Sequence, residues 1–412
     1  MTRRTIARRI RRARGAFGVL VSLATFACQD AVTDVGSLED AALDNEQSLE
    51  PLVNGMGREL SNALSHVTLV GGVVGREAIG AGTQTAFGTT LQERAGTLGP
   101  VDAEEEWNFA QRARWVAEDG VRRMREVLGE GFASSDLAAR ALLHVGFANR
   151  LLGENMCFAV LDGGPALPRE TSFERAIVAF DEALDVAGRT GNVELALAAR
   201  AGRASALAGL GDWSAARSDA EGVPIDFAWS ARYSDRELEQ YNRIHWSTAG
   251  VPYRNLTLWG TFYEEYFAET ADPRIAWALD PDHPDTDTGV PFFVQQKYDS
   301  RNSPIRLVSG REMRLVVAES RLVSGDLQGA VAAINEVRAL AGMEPRVAGD
   351  AEAAWTALKR ERGIELWMEG RRLWDLHRWL AAGTPGEAED MTGRDTCFPI
   401  GTTEIDTNPN VP

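Results

Sequence analysis

The sequence predicts a mainly α-helical fold in which consecutive helices pair as antiparallel hairpins. Alanine, leucine and arginine dominate residues 104–222 and 311–382, where apolar residues recur every three or four positions, as on one face of a helix. Between them, residues 223–310 lose this periodicity and are rich in aromatic residues and prolines. The expected architecture is therefore two helical blocks separated by an irregular, loop-rich insertion.

An internal repeat indicates how the helices pair. Residues 204–216 align without a gap with residues 318–330, and both segments carry a Gly-Asp pair at the same place. Glycine suits the turn that ends one helix, and aspartate caps the start of the next. This is the layout of a tetratricopeptide-like hairpin, which buries its apolar face by stacking on its neighbours. A weaker third copy ends at Gly153-Glu154.

We place about four such hairpins in the chain. They are predicted at 136–188 (interrupted by a loop at 161–165), 193–222, 311–341 and 350–382. Within the insertion, short strands are expected around 291–297 and 305–307.

The N-terminus has the pattern of an export signal. Residues 3–14 carry seven arginines and no acid, and an apolar run of twelve residues, 16–27, leads to Cys28. The run is too short to cross a bilayer as a helix. A small residue followed by cysteine is typical of bacterial lipoprotein processing, and an ordinary signal peptide with a chance cysteine is the alternative. We therefore predict a signal peptide over 1–28, with Cys28 as the lipidation site.

An acidic segment follows the predicted signal. Residues 29–50 carry seven acids and no base, which predicts a solvated tether. The rest of the chain, 51–412, is predicted to form a single domain. The net charge of −17 disfavours nucleic acid as a partner, because an acidic surface repels phosphates.

Two cysteines remain after the signal, Cys157 and Cys397. Exported proteins preserve disulfides, so a bond between these two residues is the favoured interpretation. Two buried free thiols are the alternative. A bond would tie the C-terminal tail back to the first hairpin.

The last third of the chain resembles the SusD/RagB family. The segments that carry the resemblance there are Ile334–Arg338, Glu361-Arg362, Glu365–Trp379, Phe398-Pro-Ile400, Glu404-Ile405 and Asn408-Pro409. Asp272-Pro-Arg274 and Lys297-Tyr298 resemble markers found in the middle of these proteins. Residues 51–135 show little similarity that can be matched.

The resemblance implies a SusD-like fold with tetratricopeptide units as a scaffold. It further implies a surface-facing, outer-membrane lipoprotein that captures a nutrient, usually an oligosaccharide, without catalysis. The implied partner is a TonB-dependent, SusC-like transporter that imports the ligand. A tetratricopeptide scaffold that binds only protein and a glycan-cleaving enzyme remain as alternatives.

A pair of glutamates invites a catalytic interpretation. Glu365 and Glu369 stand four residues apart, on one face of a predicted helix, whereas glycosidase carboxylates face each other across a cleft. Arg371 is expected to pair with Asp375 on the same helix. The apolar and basic residues that continue this stripe are Trp367, Trp374 and Arg378. We interpret the segment as a charged structural helix rather than a site.

No metal or cofactor is predicted. The five histidines are scattered, and no two stand at the spacing of a transition-metal site. An acidic loop could hold calcium through oxygen ligands, although a simply solvated loop is the favoured interpretation. Its carboxylates are Asp280, Asp282, Asp285 and Asp287.

Aromatic residues are the best candidates for ligand contact. Sugars present apolar C–H faces to which flat rings are complementary, and nearby amides can bond the hydroxyl groups. The irregular region is where loops can expose such rings. The candidates are Trp107, Trp229, Tyr233, Tyr241, Asn242, Trp246, Tyr253 and Trp259.

Overall fold

The computed structural model describes residues 43–81, 89–249, 254–280 and 289–411, and all structural statements concern these residues. The predictions for the signal peptide, for Cys28 and for most of the acidic tether lie outside them. The described residues belong to one compact unit, which spans 40–412.

Most of the described chain is helical, as predicted. The α-helices are α1 (Leu49–Val74), α2 (Leu91–Ala95), α3 (Glu104–Leu128), α4 (Asp136–Asn155), α5 (Glu170–Thr190), α6 (Val193–Gly209), α7 (Trp213–Glu221), α8 (Arg243–Ala249), α9 (Phe262–Thr270), α10 (Gly310–Val323), α11 (Leu327–Leu340), α12 (Ala351–Glu365), α13 (Arg372–Ala381) and α14 (Thr402–Thr407). No helix among the described residues is long and apolar enough to cross a bilayer.

The strands are short and form separate antiparallel pairs. They are β1 (Ile79–Gly80), β2 (Phe158–Ala159), β3 (Leu167–Pro168), β4 (Ala228–Ala231), β5 (Leu256–Thr257), β6 (Trp277–Leu279), β7 (Phe293–Gln295) and β8 (Ile305–Ser309). The pairs are β1 with β5, β2 with β3, β4 with β8, and β6 with β7. The two strands predicted in the insertion correspond to β7 and β8.

The four predicted hairpins are confirmed as α4–α5, α6–α7, α10–α11 and α12–α13. The repeat positions have the expected geometry in two of them. Gly211 and Gly325 adopt φ values of +78° and +84°, and the aspartate that follows each caps the next helix. Asp212 accepts a hydrogen bond from the Ala215 backbone N–H at 3.1 Å, and Asp326 accepts one from Gly329 at 2.8 Å.

The turn predicted at the third copy of the repeat is wrong. Gly153 and Glu154 lie inside the last turn of α4, which continues to Asn155. The glycine is needed for packing instead, because a Cβ atom there would stand 3.0 Å from the ring of Phe173. Glu154 is buried and pairs with arginine rather than capping a helix.

Small residues let the first hairpins approach closely. A Cβ atom on Gly146 of α4 or Gly202 of α6 would stand 2.5 Å or 2.4 Å from the ring of Phe180 on α5. The ring therefore occupies space that only glycine leaves free on both neighbouring helices. Such close packing of rigid side chains is what stacks a repeat hairpin on its neighbour.

The segment before the hairpins also belongs to the helical body. Helix α1 is buried over most of its second half and packs against α3 and α4. Asp44 pairs with Arg123 of α3 at 3.0 Å, and Leu49 is buried. Residues 43–50, at the end of the predicted tether, are therefore packed on the domain, which starts before residue 51.

The predicted helix that carries Glu365, Glu369 and Arg371 is not continuous. Helix α12 ends at Glu365, the chain turns through 366–371, and α13 begins at Arg372. Met368 and Gly370 adopt φ values of +54° and +74°, which interrupt the helix and end the expected stripe. Contacts from the insertion stabilise this turn, because Tyr298 donates its hydroxyl hydrogen bond to the Met368 carbonyl at 2.9 Å.

A disulfide joins Cys157 to Cys397, with an S–S distance of 2.05 Å. The flanking residues Met156 and Phe398 form a parallel β-bridge, and the Cys157 N–H donates to the Phe398 carbonyl at 2.9 Å. The covalent bond therefore attaches the irregular C-terminal segment to the end of α4.

Candidate functional site

The carboxylates of the C-terminal motif lie in a buried ion-pair network. We call it the junction network, and its members are Asp272, Arg274, Lys297, Arg306, Glu361, Glu365 and Glu369. Arg274 donates to Glu361 at 2.5 Å and to Glu365 at 3.2 Å. Its other guanidinium nitrogen donates to Asp272 at 2.7 Å. The marker Asp272-Pro-Arg274 in the insertion thus contacts α12 directly.

The second half of the junction network surrounds Glu369. Its Oε1 accepts hydrogen bonds from Lys297 Nζ at 2.6 Å and from Arg306 Nε at 2.7 Å. Burial by itself raises the pKa of this carboxyl, but the two cations outweigh burial and hold the pKa below its ordinary value. The carboxylate is therefore ionised and fully occupied by structural partners, as the sequence interpretation of this segment requires.

Arg371 forms a different contact from the predicted one. It donates to both oxygens of Glu154, at 2.5 and 2.6 Å, and to the Leu307 carbonyl, while Asp375 pairs with Arg362 at 2.8 Å. The predicted Arg371–Asp375 pair fails because Arg371 lies in the turn before α13, so helical spacing does not apply to it. Arg371 instead links the C-terminal motif to α4 and β8.

The Leu307 carbonyl lies at an irregularity in the β4–β8 pair. Trp229 pairs with Val308, but the next residue, Ser230, pairs with Arg306, so Leu307 has no partner in register. Its carbonyl accepts hydrogen bonds from Arg150 at 2.8 Å and from Arg371 instead. The buried arginines therefore stabilise the bulge that sets the direction of the Trp229 side chain.

Beside this bulge is a cleft of about 460 Å³, within the usual size range for small-ligand sites. We call it the α1–β4 cleft. Its lining includes Asn54, Arg58, Leu60 and Ser61 of α1, Arg140 and His144 of α4, Trp229 and Ser230 of β4, and Tyr233, Ser234, Glu239, Gln240 and Leu307.

Two of the predicted aromatic residues meet in this cleft. Trp229 is half-buried and packs against the hydrophobic core with part of its surface. Tyr233 donates its hydroxyl hydrogen bond to the Ser61 carbonyl at 2.8 Å, which fixes its ring against α1. Trp229 and Tyr233 therefore form an apolar surface, which is held in place by packing on the core and by the hydrogen bond to the α1 backbone.

Polar groups surround these rings. Arg58 donates to Glu239 at 3.0 Å, and Arg140 donates to the Asn54 side chain at 3.1 Å. Desolvation lowers the pKa of His144 to about 4, so its imidazole is neutral at neutral pH. His144 Nδ1 has no hydrogen-bond partner among the described residues. An apolar wall with donors and acceptors at its edge suits a hydroxyl-rich ligand.

Three of the predicted contact residues are wrong because they are buried. Trp107 has no exposed surface and packs in the core beside Gly401. Asn242 caps α8, accepting from the N–H groups of Ile244 and His245, and Trp246 is 2% exposed. Asn242 and Trp246 stand in the irregular region, where periodicity gives no information on burial, whereas Trp107 lies on the buried face of α3.

The remaining predicted residues are not gathered in the cleft. Tyr241 is half-buried under Arg301, whose guanidinium carbon lies 4.9 Å from the ring centroid. Trp259 is 41% exposed but does not line the cleft. Tyr253 lies outside the described residues, as do Asp282, Asp285 and Asp287 of the acidic loop, whereas Asp280 pairs with Arg254.

Sequence reasoning missed the helical side of the cleft. Asn54 and Arg58 of α1 and His144 of α4 lie on amphipathic helices, where polar residues are ordinarily solvent-facing. Sequence reasoning also did not single out Trp115 of α3, whose side chain is 55% exposed. The one sequence signal that could have identified Trp115 is a large aromatic residue on a helix otherwise rich in charged residues.

Glu77 connects α1 to the turn of the C-terminal motif. Its carboxylate accepts a hydrogen bond from the Met368 N–H at 2.9 Å, and it is 1% exposed. Burial raises the pKa of Glu77 to about 7. Because the pKa of Glu77 is higher in the folded protein than its unfolded value of 4.5, the protonated carboxyl stabilises the fold at low pH. This stabilisation is lost as the pH rises through about 7.

Replacing Glu77 by glutamine is expected to remove this pH dependence. Ionising the buried carboxyl costs the wild-type protein about 3 kcal/mol between pH 4.5 and 7.5. The stability of E77Q relative to wild type should therefore increase between pH 5 and pH 8 in urea unfolding. E126Q, at an exposed position of α3, serves as the control. A constant difference between E77Q and wild type across that range would contradict the assignment.

The fold and the cleft together define a class of protein. Four tetratricopeptide-like hairpins form a rigid scaffold, and a loop-rich insertion bonded to it by buried ion pairs contributes an aromatic wall to a cleft. This is the organisation of a helical-repeat binding protein.

Comparison with known proteins gives the family. Residues 311–411 match the model of the SusD family. A SusD-like protein from Bacteroides fragilis has a TM-score of 0.66 at 13% identity, over 91% of this chain and 98% of its own. A SusD-like carbohydrate binding protein from Bacteroides vulgatus has a TM-score of 0.63 at 16% identity, over 81% and 83% of the two chains.

A SusD superfamily protein from Parabacteroides distasonis is similar to the same extent. It has a TM-score of 0.66 at 13% identity, over 91% of this chain and 99% of its own. No curated protein matches the sequence. The match to the SusD family model covers the C-terminal quarter of the chain, and the predicted mainly helical SusD-like fold is confirmed.

Proposed function

We propose that this protein binds an oligosaccharide in the α1–β4 cleft and does not alter it. The observation that carries the proposal is the pairing of the Trp229 and Tyr233 rings with amide, guanidinium, imidazole and carboxylate groups in one cleft of ligand size. Flat rings cover the apolar faces of a sugar, and the polar groups bond its hydroxyls. A SusD relative described as a carbohydrate binding protein supports the same ligand class.

The groups in the cleft favour binding over hydrolysis. Among the described residues that line it, Glu239 is the one carboxylate, and it is paired with Arg58. Glycosidases generally require two carboxyl groups, about 5 to 10 Å apart, on either side of the scissile bond. The motif glutamates Glu365 and Glu369 are buried in the junction network and do not face the cleft.

A glycan-array screen of the purified protein tests the binding proposal. We expect one glycan class to be retained, and the same glycan to be recovered with its length unchanged after prolonged incubation, as measured by chromatography. Failure to bind any member of a broad array would contradict the ligand class. Shortened products would contradict the absence of catalysis and would favour the enzymatic alternative.

We further propose that the protein works as a lipid-anchored component of an uptake system. The signal-like segment ending at Cys28 supports an acylated N-terminus at the outer membrane, on its cell-surface side, and the match of residues 311–411 to the SusD family model supports a TonB-dependent, SusC-like transporter as the partner. Affinity purification from detergent-solubilised outer membranes tests this part. We expect a large β-barrel transporter to co-purify, and labelling with radioactive palmitate that is lost in C28A. Recovery of the protein alone and unlabelled would contradict it.

A further inference from the structure

Three potential metal ligands meet where α1 packs against the start of α3. His66 lies on α1, and Glu105 and Glu106 lie in the first turn of α3. One ring nitrogen of His66 and one carboxylate oxygen of each glutamate all lie within 4.8 Å of one another. The shortest recorded separation joins His66 Nδ1 to Glu105 Oε2, at 3.7 Å.

Of the two buried members of this group, His66 has a ring nitrogen without a hydrogen-bond partner among the described residues. His66 is 3% exposed, and its Nε2 has no hydrogen-bond partner among the described residues. Glu106 is 4% exposed and forms no ion pair with a described residue. Buried polar groups are nearly always hydrogen-bonded, and buried carboxylates are paired with a cation or bound to a metal.

We propose that His66, Glu105 and Glu106 form a binding site for a divalent transition-metal ion, with zinc as the best match. One imidazole and two carboxylates supply three protein ligands and leave a fourth position for water. The imidazole selects against calcium and magnesium, which take oxygen ligands. Ligand atoms about 2.1 Å from a tetrahedral ion stand about 3.4 Å apart, so a small side-chain movement completes the site.

Access and the neighbouring charges are compatible with this assignment. The Glu105 side chain is 74% exposed, so an ion can enter from solvent and the carboxylate can rotate onto it. Two cations lie near the site. Arg112 is already paired with Glu59 at 2.6 Å, and Arg243 of α8 faces the same carboxylates. The positive charge of Arg243 competes for these carboxylates and weakens the affinity for a cation, which places the expected site in the moderate-affinity range.

Residue spacing does not indicate this site because its ligands lie on different helices. A spacing rule detects ligands that share one element, whereas His66 and Glu105 become neighbours through the packing of α1 on α3. Occupancy would link the first turn of α3 to α1, the helix that forms one wall of the α1–β4 cleft.

Titration of zinc into the metal-free purified protein by calorimetry tests the proposal. We expect one ion per chain and at least tenfold weaker binding in E105Q, whose exposed side chain can be changed without disturbing the core. E126Q, an exposed glutamate on the same helix, is the matched control and should bind as wild type does. Zinc should also raise the melting temperature of wild type and E126Q more than that of E105Q.

Cobalt supplies an independent readout of the ligands. We expect visible absorption bands from bound Co²⁺ that change in H66Q and E105Q and remain in E126Q. Absence of stoichiometric zinc binding would overturn the proposal. Equal zinc affinity in wild type and E105Q would overturn it as well, and so would cobalt spectra that are the same in all variants.

Discussion

Replacing Arg371 by methionine is expected to lower the free energy of unfolding by about 3–5 kcal/mol, the usual cost of removing one partner from a buried ion pair. The arginine is 4% exposed and bonds both oxygens of Glu154 and the Leu307 carbonyl. Methionine fills much of the volume but leaves a buried carboxylate with reduced compensation and the carbonyl with one fewer donor. The change should also loosen the β4–β8 bulge.

Urea unfolding followed by circular dichroism measures this effect. R122M is the matched control, since Arg122 is 53% exposed and forms only local pairs along α3. Exposed pairs of this kind contribute little to stability, because water and salt screen the charges. The double variant R371M/E154Q should recover part of the loss, because it removes the uncompensated charge. An R371M protein as stable as R122M would show that the buried Arg371–Glu154 ion pair contributes little to stability.

Replacing Trp229 by alanine is expected to weaken binding of the screened glycan at least tenfold. A central aromatic residue in a cleft often contributes more than 2 kcal/mol to affinity, and a factor of ten corresponds to about 1.4 kcal/mol. Trp229 is half-buried, so part of its surface faces the cleft while the rest packs on the core. Loss of the ring removes the apolar surface and leaves the polar edge intact.

Calorimetric titration of matched variants isolates this contribution. W259A changes a tryptophan that is 41% exposed but lies outside the cleft, and its affinity should stay within about twofold of wild type. W229F should retain part of the affinity, because a smaller ring still offers an apolar face. Equal losses in W229A and W259A would exclude the α1–β4 cleft as the main binding surface.

The hairpin scaffold could be predicted from sequence because its signals are local. A Gly-Asp pair at the end of an apolar, alanine-rich helix specifies both the turn and the next cap, and Gly211-Asp212 and Gly325-Asp326 do both. Gly153-Glu154 has a similar composition but lies within α4. Gly153 is required by its packing against Phe173 of another helix, and no local sequence pattern reveals this contact.

The break in the C-terminal motif could not be predicted for a related reason. Residues 366–371 have helical spacing, but Lys297 donates to the Trp367 carbonyl at 2.6 Å and Tyr298 donates to that of Met368. Carbonyls occupied in this way do not need the helical hydrogen bonds that the spacing suggests. The same contacts explain why markers in the insertion and in the C-terminal motif occur together in this chain.

The residues of the α1–β4 cleft were predictable only in part. Trp229 and Tyr233 could be named because they stand in an irregular, aromatic-rich region, but Trp246 stands in the same region and is buried. Without periodicity, sequence does not distinguish a ring that fills the core from one that lines a cleft. The α1 and α4 residues required the packing of distant segments.

The most direct test of the proposed function is a crystal structure of the protein with the oligosaccharide selected by the array. We predict an intact glycan in the α1–β4 cleft, with one sugar ring stacked on Trp229 and its hydroxyls bonded to groups such as Asn54, Arg58 and His144. A glycan bound elsewhere, with this cleft filled only by solvent, would contradict the account.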